Sequence, residues 1–260
     1  MVVFFDIDGT LVEESSQIIP ESAIRAIRRL RENGHVPVIN TGRPYSHLDP
    51  RILAMPFGGW VCGAGMEIFL EDRWLQRYAM SRELSRQVID MVRACKMQVI
   101  YEVEGGFYLD GDLSIVPQVT EEARRMEIKG FFVRQLAQIQ DPILIKLVTY
   151  DGPGCQRQRF LDFMAQHFTC IDRGNTMVEF VRAGCSKAAG MELLLQALGM
   201  ARQDTYAIGD STNDLPMFRA AGHAICMGNG MEEAKAAAEY ITDTVLADGV
   251  EKALAHYGLI

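Results

Sequence analysis

The chain opens on four consecutive apolar residues, Val2 to Phe5, that run directly into Asp6-Ile7-Asp8-Gly9-Thr10. An apolar run without polar alternation is the pattern of a strand buried on both faces, as in a parallel sheet covered by helices on each side. Parallel neighbours need crossover connections. The sequence supplies them: Ala23, Ile24, Ile27 and Leu30 recur at helical spacing, and Gly34 ends that helix where a left-handed cap is wanted. His35 to Ile39 reads as the next strand, followed by the turn Thr41-Gly42-Arg43-Pro44, a short helix, and another strand around Trp60 to Cys62. Strand and helix alternate here as in a doubly wound, mostly parallel, Rossmann-like α/β sheet.

Near residue 80 the pattern changes. Leu84, Val88, Met91, Val92 and Cys95 mark an amphipathic helix, and β-rich segments at Gln98 to Val103 and Phe107 to Asp110 flank the turn Glu104-Gly105-Gly106. Leu144 to Tyr150, a helix through Phe160 to Phe163, and Met177 to Val181 continue this α+β pattern. Beyond Arg182 the alternation returns, with helices over Ser186 to Leu198, Leu215 to Ala221 and Val250 to His256, and strands at Tyr206 to Ile208 and Ala224 to Met227. The expected organisation is one α/β domain, residues 1–79 and 183–260, interrupted by an inserted α+β domain, residues 80–182. The 260 residues suffice for both, since domains commonly run to roughly 100–200 residues.

Hydrophobic residues at 48% and charged residues at 23% are ordinary globular usage and exclude a disordered chain. A net charge of −8 argues against adhesion to nucleic acid or to an anionic membrane. No basic leader precedes Asp6, and no stretch approaches the roughly 20 apolar residues of a membrane span, so a cytoplasmic protein is expected. Cys62, Cys95, Cys155, Cys170, Cys185 and Cys226 show no metal-ligand spacing and read as free thiols. The five histidines read as surface or packing residues, the methionines as core filler, and Glu13 and Glu14 as solvated charges.

Acidic and hydroxyl residues stand just after apolar strands: Asp6 and Asp8 after the first, Thr41 after the second, and Asp210, Asn213 and Asp214 after Tyr206 to Ile208. Open parallel sheets bind ligands at the carboxyl ends of their strands, so these residues should meet in one crevice. Carboxylates about 4 Å apart repel by roughly 4 kcal/mol per pair at an effective dielectric near 20, and a divalent cation removes that cost. Oxygen-only ligands favour Mg²⁺, which commonly works through one or two carboxylates and a substrate phosphate. The Thr41 hydroxyl, the Gly42 amide and the Lys187 ammonium would cradle phosphoryl oxygens, and a carboxylate can attack phosphorus to give an aspartyl-phosphate.

The set DIDGT at Asp6 to Thr10, NTGRP at Asn40 to Pro44, Ser186-Lys187, and GDSTND at Gly209 to Asp214 resembles the four motifs of the haloacid dehalogenase superfamily, in order and spacing. The insertion is similar to the large cap of the Cof-type sugar-phosphatase branch, and Met227-Gly228-Asn229 and Asp248-Gly249-Val250 resemble that branch's C-terminal segment. The resemblance implies that Asp6 is the nucleophile and Asp8 the acid/base. It also implies a Mg²⁺ site formed by the Asp6 and Asp210 carboxylates and the Asp8 backbone carbonyl. Thr41, Gly42, Lys187 and Asn213 then hold the phosphoryl group, with Asp214 and Ser211 supporting the site. Where relatives have Asn-Gly-Ala after the third strand, this chain has Ala64-Gly65-Met66, without the amide.

The function so implied is Mg²⁺-dependent hydrolysis of a small phosphorylated metabolite, with a sugar phosphate the leading candidate and the cap closing over it. A phosphosugar mutase resembling phosphomannomutases is the alternative, and a non-enzymatic receiver-like or phosphometabolite-binding module the second. Arg43 is read as bracing its own turn. Lys146 and Glu179, polar residues in apolar strands, are read as a salt bridge or a cap-to-core contact, with substrate contact as the next reading.

Overall fold

The structure is a computed structural model that describes residues 1–128 and 130–260. It divides into two compact units, Met1–Arg77 with Cys185–Ile260, and Tyr78–Gly184. The first unit begins with β1 (Val2–Phe5), α1 (Glu21–Glu32), β2 (Val36–Asn40), α2 (Pro50–Leu53), β3 (Gly59–Cys62), β4 (Glu67–Leu70) and β5 (Arg73–Arg77). The inserted unit follows with α3 (Arg82–Ala94), β6 (Gln98–Val103), β7 (Gly106–Leu109), α4 (Pro117–Ile128), β8 (Val133–Gln135), β9 (Leu144–Tyr150), α5 (Arg157–Met164), β10 (Phe168–Gly174) and β11 (Met177–Arg182). The chain then completes the first unit with α6 (Lys187–Leu198), β12 (Thr205–Gly209), α7 (Leu215–Ala220), β13 (His223–Cys226), α8 (Glu232–Ala237), β14 (Tyr240–Ile241) and α9 (Gly249–His256).

The first unit is an eight-stranded sheet in the order β14-β13-β12-β1-β2-β3-β4-β5. Six strands run parallel, and β4 and β5 add an antiparallel hairpin at one edge. The apolar run of β1 is buried throughout, as its sequence requires, and splits by the two-residue period of a strand. Val3 and Phe5 pack with α1 residues Ile27 and Leu30 and α9 residue Leu254, while Val2 and Phe4 pack with Met191 and Leu194 of α6 and Met217 and Phe218 of α7. Both faces are therefore covered by helices, and polar groups can collect only at the strand ends.

The inserted unit is a six-stranded sheet in the order β10-β11-β9-β6-β7-β8, antiparallel except for β7 with β8. On one face Tyr101, Leu147 and Phe180 pack against Val88 and Val92 of α3 and Phe160 and Met164 of α5. On the other, Ile100, Phe107, Val148 and Tyr150 pack against Val119 of α4. Among the described residues no helix is long and apolar enough to cross a membrane, and the six cysteines carry free thiols.

Candidate active site

The sheet of the first unit reverses its direction of growth between β1 and β12: from β1 the chain steps to β2 and β3 on one side, and from β12 to β13 and β14 on the other. Ligands of open α/β sheets bind at the carboxyl ends beside such a switch point. Phe5 is in register with both Ile208 and Ile39, so Asp6, Asp210 and Thr41 leave the same edge of three adjacent strands.

The centre of the site is a buried lysine. Lys187 Nζ lies 2.8 Å from Asp6 Oδ1 and 2.5 Å from Asp214 Oδ1, and donates to Asn213 Oδ1 at 3.1 Å. Asp214 Oδ2 accepts the backbone N–H groups of Asp210 and Ser211 at 2.9 and 3.0 Å, and the Thr10 hydroxyl donates to Asp210 Oδ1 at 3.2 Å. One oxygen each from Asp6, Asp210 and Asp214 fall within 4.8 Å of one another. Both Asp214 oxygens are engaged by Lys187 and the loop amides, so Asp214 fixes the loop and the lysine, whereas Asp6 Oδ1 meets only Lys187 and Asp210 Oδ1 only the Thr10 hydroxyl among the described hydrogen bonds.

Local backbone chemistry puts these groups in place. Gly9 has φ +75°, and a Cβ there would lie 2.3 Å from Asp210 Oδ2, so only glycine lets the β1 loop pass behind that carboxylate. Asn229 Nδ2 ties the same loop down through Gly9 O at 2.7 Å. Lys187 is the first residue of α6, whose N-cap hydroxyl Ser186 Oγ accepts from Ala189 N at 3.0 Å. Asn40 Nδ2 donates to the Lys187 carbonyl at 3.1 Å, and a Cβ on Gly65 would lie 2.3 Å from Ser186 O. The close approach of the turn after β3 thus seats the start of α6.

Burial raises the Asp6 carboxyl to about 8, Asp214 and Asp210 adding to the shift and Lys187 opposing it. Burial and then Asp214 raise Asp210 to about 7, with the Thr10 hydrogen bond opposing. Burial works against the Lys187 charge, but Asp214 and Asp6 outweigh it and hold the ammonium above its usual range. Three carboxylates facing one ammonium carry a formal charge of −2, and the ligand oxygens are hard and free of nitrogen or sulfur. Such a donor set fits one divalent cation of the magnesium kind.

Around this centre, Thr41 is buried; its N–H donates to Val61 O at 2.8 Å and its Oγ1 accepts from Arg43 N at 3.2 Å. Because that lone pair is used by the loop itself, the hydroxyl proton is free to point at a ligand. Gly42 follows at the half-buried lip of the turn. Asp8 lies outside the three-carboxylate cluster, its side chain about one-third exposed (33%). The Arg43 side chain reaches beyond its own turn: Nε donates to Asp8 Oδ2 at 2.8 Å and Nη2 donates to Asp8 Oδ1.

In the inserted unit Lys146 Nζ pairs with Glu179 Oε1 at 2.5 Å, and Arg173 Nε donates to Glu179 Oε2 at 2.7 Å. The pair read from sequence as a salt bridge is therefore a triad within that unit. Burial alone would raise Glu179, but Lys146 and Arg173 overcome it and hold the carboxyl down at about 2. Sequence reasoning missed Thr10, Asn40, Asn229 and the partner of Arg43. Thr10 and Asn40 sit inside the motifs themselves, but nothing in their spacing says which atom each holds.

The sequence profile of the haloacid dehalogenase-like hydrolases matches residues 3–254. The chain is 40% identical to the 5-amino-6-(5-phospho-D-ribitylamino)uracil phosphatase YcsE of Bacillus subtilis, over 99% of this chain and 96% of that protein. It is 28% identical to YitU, a phosphatase of the same name from the same organism, over 98% and 97%. Among solved structures it resembles BT1666 of Bacteroides thetaiotaomicron, a phosphatase of the same superfamily, with TM-score 0.81 and 26% identity over 100% of this chain and 95% of that one. The chain belongs to the haloacid dehalogenase-like hydrolases, as a Cof-type phosphomonoester hydrolase.

Proposed function

We propose that this enzyme hydrolyses a small phosphorylated metabolite with Asp6 as nucleophile and Asp8 as acid/base. The observation that carries the reading is the buried ammonium of Lys187 set between Asp6 and Asp214 with Asp210 alongside, an anionic centre placed where a phosphoryl group can dock. Asp6 Oδ1 faces Lys187 while Oδ2 accepts no hydrogen bond among the described residues, which leaves a lone pair to attack phosphorus. As the Asp6–phosphorus bond forms and the ester bond breaks, Asp8 gives its proton to the leaving oxygen; it then takes one from the water that displaces Asp6. The Asp6 and Asp210 carboxylates and the Asp8 carbonyl are the groups that would hold Mg²⁺. When bound, Mg²⁺ supplies positive charge to the phosphoryl oxygens, which is the main requirement of phosphoryl transfer. Thr41, Gly42 and Lys187 donate to the remaining oxygens. Asn213, whose Oδ1 is taken by Lys187, has its Nδ2 donor for the same purpose.

The first substrates to test are 5-amino-6-(5-phospho-D-ribitylamino)uracil, because of the 40% identity to YcsE, and a set of sugar phosphates. The inserted unit is proposed as the cap that selects among them. Phosphate release from p-nitrophenyl phosphate should require Mg²⁺ and vanish in Asp6→Asn, while the metabolite panel ranks substrates by kcat/KM. Release that survives EDTA, or survives Asp6→Asn, would overturn the mechanism.

A further inference from the structure

The geometry points to Arg43 as a positioning residue that fixes the carboxyl of Asp8 for proton transfer to the leaving group, an assignment resting on the function proposed above. The guanidinium meets Asp8 as a fork, Nε to Oδ2 at 2.8 Å and Nη2 to Oδ1, the planar two-point match that arginine makes with carboxylates and lysine cannot. Its side chain is 15% exposed against 33% for Asp8, so the buried partner holds the more accessible one. A carboxylate has about four lone-pair sites. The fork itself takes one on each oxygen.

What makes Arg43 more than a surface ion pair is where its backbone is anchored. Its N–H donates to Thr41 Oγ1 at 3.2 Å, its carbonyl accepts from Gly63 N at 2.8 Å, and Ala64 N donates to Thr41 O at 3.0 Å. The same turn therefore carries the hydroxyl proposed to bind phosphate and the guanidinium that orients the acid. The acid is registered against the phosphoryl site through one short piece of backbone, which is the sub-ångström placement that proton transfer to an ester oxygen needs.

The test is leaving-group discrimination by Arg43→Gln. The ratio kcat/KM reports events through formation of the Asp6–phosphorus bond. Over that step an alkyl phosphate needs a proton on its leaving oxygen, whereas p-nitrophenyl phosphate releases a stable phenolate. We expect kcat/KM to fall roughly 10²-fold or more for a sugar phosphate and by less than about 5-fold for p-nitrophenyl phosphate. Asp8→Asn should show the same asymmetry, and the double variant should be no worse than Asp8→Asn alone. Equal losses on both esters, or additive losses in the double variant, would overturn the assignment while leaving the parent reading intact. A wild-type enzyme that releases phosphate from neither ester overturns the parent reading, and this assignment with it.

Discussion

Lys187 and Asp214 are both buried and their charged atoms lie 2.5 Å apart, 27 residues from each other in the chain. The pair joins the first residue of α6 to the loop after β12, and Asp6 completes it from β1. Replacing Lys187 by Met leaves three carboxylates without their cation. Breaking a buried ion pair on one side costs about 3–5 kcal/mol, so the unfolding free energy of Lys187→Met, measured with urea, should fall by that amount. Phosphate release should drop by at least roughly 10²–10³-fold. A variant of unchanged stability and activity would remove Lys187 from the centre of the site.

Stability should depend on pH and magnesium together. The folded state holds Asp6 protonated up to about 8 and Asp210 up to about 7, against an ordinary value of 3.8 for each. The folded state therefore binds more protons than the unfolded chain in that window, and metal-free stability falls as pH rises from about 4 to about 8. A cation favours the ionised carboxylates and reverses the trend. Thermal unfolding at pH 5 and pH 8, with and without Mg²⁺, should show a stabilisation by the metal that grows with pH; one that shrinks with pH would contradict this.

Glu179 should act at the opposite end of the scale. Its carboxyl is held at about 2 against an ordinary 4.5, so its contribution is present above about 4.5 and is lost as pH falls toward 2. Glu179→Gln, which leaves Lys146 and Arg173 without their shared carboxylate, should cost about 3–5 kcal/mol at pH 7 and nearly nothing at pH 2, as read by urea unfolding.

Gly9→Ala should be nearly inactive. The added Cβ would meet Asp210 Oδ2 at 2.3 Å in a backbone at φ +75°. Either the β1 loop or the Asp210 carboxylate must move, and a shift of about 1 Å at a reacting centre costs on the order of 10²-fold in rate. Phosphate release by a variant whose circular dichroism is unchanged checks this.

Ala64→Gly should be more stable than the parent. Ala64 sits at φ 54°, ψ 45°, a left-handed conformation that costs an ordinary L-residue roughly 1–2 kcal/mol. Glycine recovers part of that, about 0.5–1 kcal/mol after its own unfolded-state entropy. A lowered melting temperature would show that the methyl group makes a contact worth more than the strain.

The sequence was most legible where burial was total. The apolar runs of β1, β2, β3 and β12 announce themselves, and the residues just after them are the ones the sheet gathers at its switch point. The β4–β5 hairpin was not read: Glu67 and Arg77 lie within it, and charges in strands look like a turn. α4 buries only Val119 and Ala123, too little for a clear helical stripe, and β10 is mostly exposed. The motif residues were identifiable as a set, yet the reach of Arg43 to Asp8 spans 35 residues. No local pattern encodes such a meeting; it follows from β1 and β2 being parallel neighbours in register.

That same strand order sets a schedule for the chain as it is made. Thr10 and Asp210 touch across 200 residues, and β1 gains one of its two neighbours only when β12 arrives. Until then β1 offers an open, wholly apolar edge, and contacts of such long separation form late. A ribosome that has released the chain through the inserted unit has therefore made β1 to β5 of the eight-stranded sheet and none of Lys187, Asp210 and Asp214. The buried cluster of Lys187, Asp6, Asp210 and Asp214 can assemble only after the returning segment Cys185–Ile260 is made.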